Sequence, residues 1–181
     1  MVNDMDKLHT CCFTGHRPEK LPPGNSAEMK TIKSRLYFET ELAAKEGYKF
    51  FITGMQRGID LYAGEIVLEL MSSYDISLIA ALPFPGFGNN FKGHDKWLFG
   101  RCMENAKEVI EVSPVQTKNA YKMRNEFMVE NSSLLIGVVD DFKSGAGQTI
   151  ALARKNGLTI RTIRVETEGG DEEDFPDQLL F

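Results

Sequence analysis

Apolar positions along the chain follow two alternating rhythms. Short runs rich in β-branched and aromatic residues, each closed by Gly, Pro, Asn or Asp, alternate with longer stretches whose apolar residues recur every three or four positions. The first run, 9–14, ends at Gly15. Residues 26–46 then bring Met29, Ile32, Leu36 and Leu42 near one helical face, with Ser26 as N-cap and Gly47 as the stop. A strand over 48–53 precedes a helix over 59–74, where Ile59, Tyr62, Ala63, Ile66, Val67 and Leu70 share one face. The cycle repeats with strands at 76–82, 108–112, 134–139 and 158–165 and helices at 95–106, 120–131 and 146–156.

Six strands alternating with five helices predict an α/β fold, a Rossmann-like doubly wound, mainly parallel sheet of about six strands with helices on both faces. Residues 1–165 form the single predicted domain and 166–181 an acidic C-terminal tail. Sheets of this kind bind ligands beyond the carboxyl ends of their strands, beside the reversal in strand order. The residues just after each strand are therefore the place to look for chemistry.

Composition sharpens this picture in three respects. A length of 181 residues, 42% hydrophobic, suits one globular domain with a sizeable core. The net charge of −5 is concentrated in the tail, where seven acidic residues fall between Glu166 and Asp177 with no basic one. The rest, with 21 basic against 19 acidic residues, is close to neutral at +2, which argues against nucleic acid as a partner. Cys11, Cys12 and Cys102 have neither disulfide nor metal-ligand spacing, and the three histidines are scattered, so reduced thiols in a cytoplasmic protein and no metal are expected. No apolar stretch is long enough to span a bilayer, so no membrane association is expected. A homodimer is compatible with the fold class, although no apolar stripe marks a face for it.

At the first strand end stands Thr14-Gly15-His16-Arg17-Pro18. The glycine lets the backbone approach a ligand, and the arginine fork suits a phosphate or carboxylate; a plain tight turn with a solvated Arg17 fits equally well. The second strand end carries Gly54-Met55-Gln56-Arg57-Gly58-Ile59-Asp60, two glycines opening a helix whose first turn offers free N–H groups to an anion. Asp60 there either accepts from ribose hydroxyls or complements the helix dipole. The spacing matches neither G-x-G-x-x-G nor a P-loop. The aromatic loop 83–91 reads as rings tucked into the core, with a flap whose ring stacks on a base as the alternative, and Trp97 reads as packing within the third helix. Arg124 and Asn125 supply a second cation and an amide. Gly145, Gly147 and Thr149 form another glycine-bearing turn into a helix, which suggests two contact points for a ligand with phosphate or sugar groups.

These motifs together resemble the SLOG superfamily, and within it the small bacterial YpsA/YoqJ-type proteins; Arg57-Gly58-Ile59-Asp60 also resembles a segment of the DprA/Smf proteins. The resemblance runs from about His9 to Val165 and implies a Rossmann-like domain that binds a nucleotide or nucleotide-derived ligand such as an ADP-ribose-like molecule. The ligand-binding residues it implies are Thr14, Gly15, His16, Arg17, Gly54, Gly58, Asp60, Arg124, Asn125, Gly145, Gly147 and Thr149. It is similar also to the LOG phosphoribohydrolases, whose arginine is matched by Arg124 and whose glycine motif is echoed by Gly145, Gly147 and Thr149. Their glutamate is replaced here by Leu152. A carboxylate is what such hydrolysis needs to stabilise its oxocarbenium-like centre, and leucine cannot supply it. The expectation is thus a sensor of a nucleotide-like small molecule. A LOG-type hydrolase is the first alternative and single-stranded DNA binding in the manner of DprA the second, with Lys118, Lys122 and Arg124 as its candidate basic patch.

Overall fold

A computed structural model describes residues 5–165, and the acidic segment 166–181 lies outside the described residues. The elements run β1 (Thr10–Gly15), α1 (Ala27–Lys45), β2 (Phe50–Thr53), α2 (Ile59–Leu70), β3 (Ser77–Leu82), α3 (Gly93–Asn105), β4 (Glu108–Glu111), α4 (Ala120–Glu130), β5 (Leu134–Val139), α5 (Gly145–Lys155) and β6 (Thr159–Arg164). Short 3-10 turns at Lys7–His9 and Pro18–Lys20 flank β1. The strands form one sheet in the order β4-β3-β2-β1-β5-β6, and every pairing is parallel.

Because successive side chains on a strand face opposite ways, Cys11 and Phe13 enter one core layer and Cys12 the other. The first layer is closed by α1, α2 and α3, through Leu36, Ile59, Val67 and Leu98 among others, and Phe13 stacks on Phe51 at 6.1 Å. The second is closed by α4 and α5, through Met128, Val129, Ile150 and Ala153. All six residues of β5 are buried, as a central strand covered on both faces requires. All three cysteines are buried free thiols, and burial pushes Cys12 and Cys102 up to about 12.

Three details differ from the sequence pattern. In α1 the buried stripe continues from Leu36 through Thr40 and Ala43, one and two turns on, so Leu42 is only half-buried. Helix α2 stops at Leu70, four residues early, where Ser72 turns its hydroxyl onto the Glu69 carbonyl at 2.9 Å and the apolar period lapses. Trp97 is not packed inside. It is 52% exposed and lies against His94 and Arg101, because α3 buries only Leu98 and Cys102 and leaves its outer face open. The aromatic loop does fold inward: Phe84 and Phe87 are buried and meet Tyr121, Phe91 and Phe99 edge to face at 5.5–6.2 Å.

Strand order reverses at β1, which has β2 on one side and β5 on the other. A crevice opens there at the carboxyl ends. No helix among the described residues is long and apolar enough to cross a membrane.

Candidate functional site

The crevice is a cleft of about 570 Å³ above the ends of β1, β2 and β5. Its walls are local consequences of sequence. Beyond β2, Thr53 turns its hydroxyl onto the Asp60 carbonyl (2.7 Å) and accepts from the Met55 amide (3.3 Å), which draws the start of α2 back over the strand. Gly58 then adopts φ +92°, and a Cβ there would lie 2.4 Å from the His16 carbonyl oxygen, which accepts from the Ile59 amide at 3.2 Å. Only glycine combines that φ with so close an approach. On the opposite wall the Ser144 hydroxyl caps α5 by accepting from the Gly147 amide (3.1 Å), and Gly147 packs against the Phe142 carbonyl with no room for a Cβ. Gly145 and Ala146, in the first turn of α5, line the cleft, and first-turn amides have no partner within their own helix.

Two buried charges define the cleft floor. Arg124, on α4, is 6% exposed; it donates from Nη1 to the Gly54 carbonyl and from Nε to Asn125 Oδ1 (3.0 Å), and its guanidinium lies 5.7 Å from the Tyr121 ring. Asn125 passes the connection on, donating to the Thr149 hydroxyl (3.1 Å), which in turn donates to the Gly145 carbonyl (3.1 Å). One chain of hydrogen bonds therefore ties the turn after β2 to the start of α5 across the crevice. Asp60, also 6% exposed, accepts from the Gln56 amide at 3.3 Å. Burial raises its pKa from the ordinary 3.8 to about 6, against the opposing pull of Arg124, the Gln56 amide and Arg17. Burial likewise lowers the pKa of Arg124, with Asp60 acting to restore it.

At the rim, His16 is buried with Nε2 against Asp140, close to its carboxylate and 3.1 Å from its backbone nitrogen, which links the ends of β1 and β5. Arg17 is exposed above the cleft, near enough to act electrostatically on Asp60, Arg124 and Glu19. A fork of Arg17 over Arg124, faced by the first turn of α5, suits a phosphate. Asp60 below it can present either a carboxyl proton or a carboxylate near neutral pH.

Of the residues proposed from sequence, Thr14, Gly15, His16, Arg17, Asp60, Arg124, Asn125, Gly145 and Thr149 line this cleft. Gly54, Gly58 and Gly147 stand behind it. The close approaches at Gly58 and Gly147 are to the chain's own backbone, and Gly54 serves through its carbonyl. Gln56, Tyr121, Ser144 and Lys20 also line it and were not singled out. Tyr121 had a readable signal, since it lies three residues before Arg124 on one helix. The suggested basic patch does not form: Arg124 points inward, while Lys122 sits on the exposed face of α4 and pairs with Glu126 at 3.7 Å. Leu152 packs against the second core layer, away from the cleft.

A second cleft of about 660 Å³ lies beside the first, and Arg17, Gln56 and Tyr121 line both. Arg57 lines this second cleft, held by Glu19 and, at 3.9 Å, by Asp95. The buried rings Phe84 and Phe87 form its base.

An all-parallel sheet with its crevice at the strand-order reversal, flanked by two helix starts, makes this a Rossmann-like α/β domain. Residues 11–166 match the model of the YspA SLOG family, and the chain belongs to that family. It is 26% identical over 153 residues to a UPF0398 protein of Bacillus cereus (strain B4264), covering 82% of this chain and 83% of the relative. A UPF0398 protein of Bacillus thuringiensis (strain Al Hakam) is 25% identical over the same shares. Among solved structures it is similar to DNA processing protein A of Helicobacter pylori, described for its single-stranded DNA binding mode, with TM-score 0.61, 19% identity and 87% of this chain covered. It is also similar to DNA processing protein A (DprA) of Streptococcus pneumoniae, with TM-score 0.61, 16% identity and 90% covered. The chain spans 65% and 53% of those two proteins. The expectation that nucleic acid is not a partner is corrected by this likeness, since the fold is shared with a protein described for binding single-stranded DNA.

Proposed function

We propose that this chain binds single-stranded nucleic acid across the two adjoining clefts. The observation that carries this reading is their adjacency. Arg17, Gln56 and Tyr121 border both spaces, so a strand laid across these side chains contacts one cleft and then the other. Arg17, Lys20 and Arg124 supply phosphate contacts in the first cleft. The fold shared with the Helicobacter pylori DNA processing protein supports the same class of ligand. With a near-neutral body, affinity comes from these few contacts rather than from a long-range field. Three buried reduced thiols are consistent with a cytosolic setting.

A second reading, a free nucleotide-like ligand, is favoured by one feature. The first cleft alone, about 570 Å³, is the size of a small-molecule site, and its floor is closed by Asp60 and Arg124. Fluorescence anisotropy with labelled single-stranded oligonucleotides, beside calorimetry with AMP and ADP-ribose, separates the two. Strand binding that weakens with salt, with a log–log slope of roughly −2 for two or three phosphates, is the expected result. Arg17→Ala reduces that slope by about one phosphate contact across all sequences. Tight binding of a mononucleotide with none of any oligonucleotide overturns the strand reading.

A further inference from the structure

The second cleft has a chemistry distinct from the first. Four carboxamides, Gln56, Asn89, Asn90 and Gln116, line it beside Arg57 and Tyr121. Gln56 Oε1 is engaged, accepting from the Arg57 amide at 2.9 Å. The other three are exposed, and among the described residues their side-chain amides have no protein partner. The loop backbone that carries Asn89 and Asn90 is held: the Asn89 amide donates to the Gly86 carbonyl (3.1 Å) and the Phe91 amide to that of Gly88 (3.0 Å), while Phe87 anchors the loop in the aromatic cluster. The loop thus presents two unpaired amide groups from a fixed frame, and Gln116 adds a third from the segment between β4 and α4. Such a concentration of groups that both donate and accept suits a nucleobase edge, not a phosphate or an apolar chain.

Resting on the strand-binding reading above, we infer that the second cleft is a base-recognition subsite. It takes the nucleobase of the residue adjoining the phosphate held at Arg17, with Asn90 and Gln116 addressing its edge. A carboxamide pairs bidentately with adenine through one N–H donor and one acceptor, so adenine is the base held most tightly. Tyr121, shared by the two clefts, separates the phosphate-binding part from the base-binding part.

The test compares labelled hexamers of dA, dC and dT by anisotropy, on the full chain and on the Asn90→Ala/Gln116→Ala double variant. Both positions are exposed, so the core is untouched, and unchanged thermal unfolding checks this. The wild type is expected to bind the dA hexamer about tenfold tighter than the dC hexamer, and the double variant to bring that ratio close to one. Arg17→Ala weakens all three hexamers alike. Hexamers bound without base preference, or with a preference that survives in the double variant, overturn the subsite while leaving strand binding intact. Failure of every hexamer to bind overturns both.

Discussion

Asp60 is a carboxylate held almost wholly out of water, and folding must work against that confinement. Its pKa rises from 3.8 to about 6, so the folded state binds a proton more tightly than the unfolded chain does. The stability associated with the neutral carboxyl is fully present below about pH 4 and is lost as pH rises through 6. A rise of about two units corresponds to roughly 3 kcal/mol at neutral pH. Replacing Asp60 with Asn keeps an oxygen to accept from the Gln56 amide but removes the titration. The expected result is a variant-minus-wild-type stability difference that grows by roughly 2 kcal/mol between pH 4 and pH 7, with its steepest part between pH 4 and 6. Urea unfolding followed by circular dichroism at half-unit pH intervals measures it, and taking the difference cancels every other titrating group. Arg124→Met in the same series removes the charge that holds the Asp60 pKa down, so the folded-state midpoint moves to higher pH. A difference that stays flat from pH 4 to 7 would refute the account of Asp60 as a desolvated acid.

Other outcomes follow from packing. Gly58→Ala forces a Cβ against the His16 carbonyl at an unfavourable φ and is expected to cost about 3 kcal/mol, visible as a fall in Tm of roughly 6–12 °C. Ser144→Ala removes the cap of α5 and should cost about 1 kcal/mol in chemical denaturation, with a further loss of oligonucleotide affinity because the first turn of α5 borders the cleft. The three thiols are buried with raised pKa values, so Ellman's reagent should label none in the native protein within minutes and all three in guanidinium chloride. Rapid native labelling of any one would show that the core layers open more readily than their packing implies.

The order of elements was legible along the chain because a strand and a helix bury one face with different periods, and that difference is written locally. Strand β5 matches residue for residue, 134–139, since an apolar run of six residues is too short for a helix and is bounded by polar turn residues. The cap at Ser26 was equally plain, because a serine before an amphipathic stretch has one local use, and its hydroxyl accepts from the Met29 amide at 3.1 Å. The end of α2 and the orientation of Trp97 were not, since each depends on what a neighbouring element covers. The same division holds at the site. Turn glycines and cations at strand ends identified most of the first cleft, but a glycine's sequence does not say whether ligand or backbone approaches it, and at Gly58 and Gly147 it is backbone. Residues such as Asn90 and Gln116 carry no motif and acquire meaning only by facing one space. The sequence by itself determined the parallel α/β class and the strand-end location of its chemistry, through hydrophobic period and turn residues. Only the tertiary structure decided that Asp60 and Arg124 are buried together and that Arg17, Gln56 and Tyr121 border two clefts at once, because burial and adjacency are properties of distant segments brought side by side.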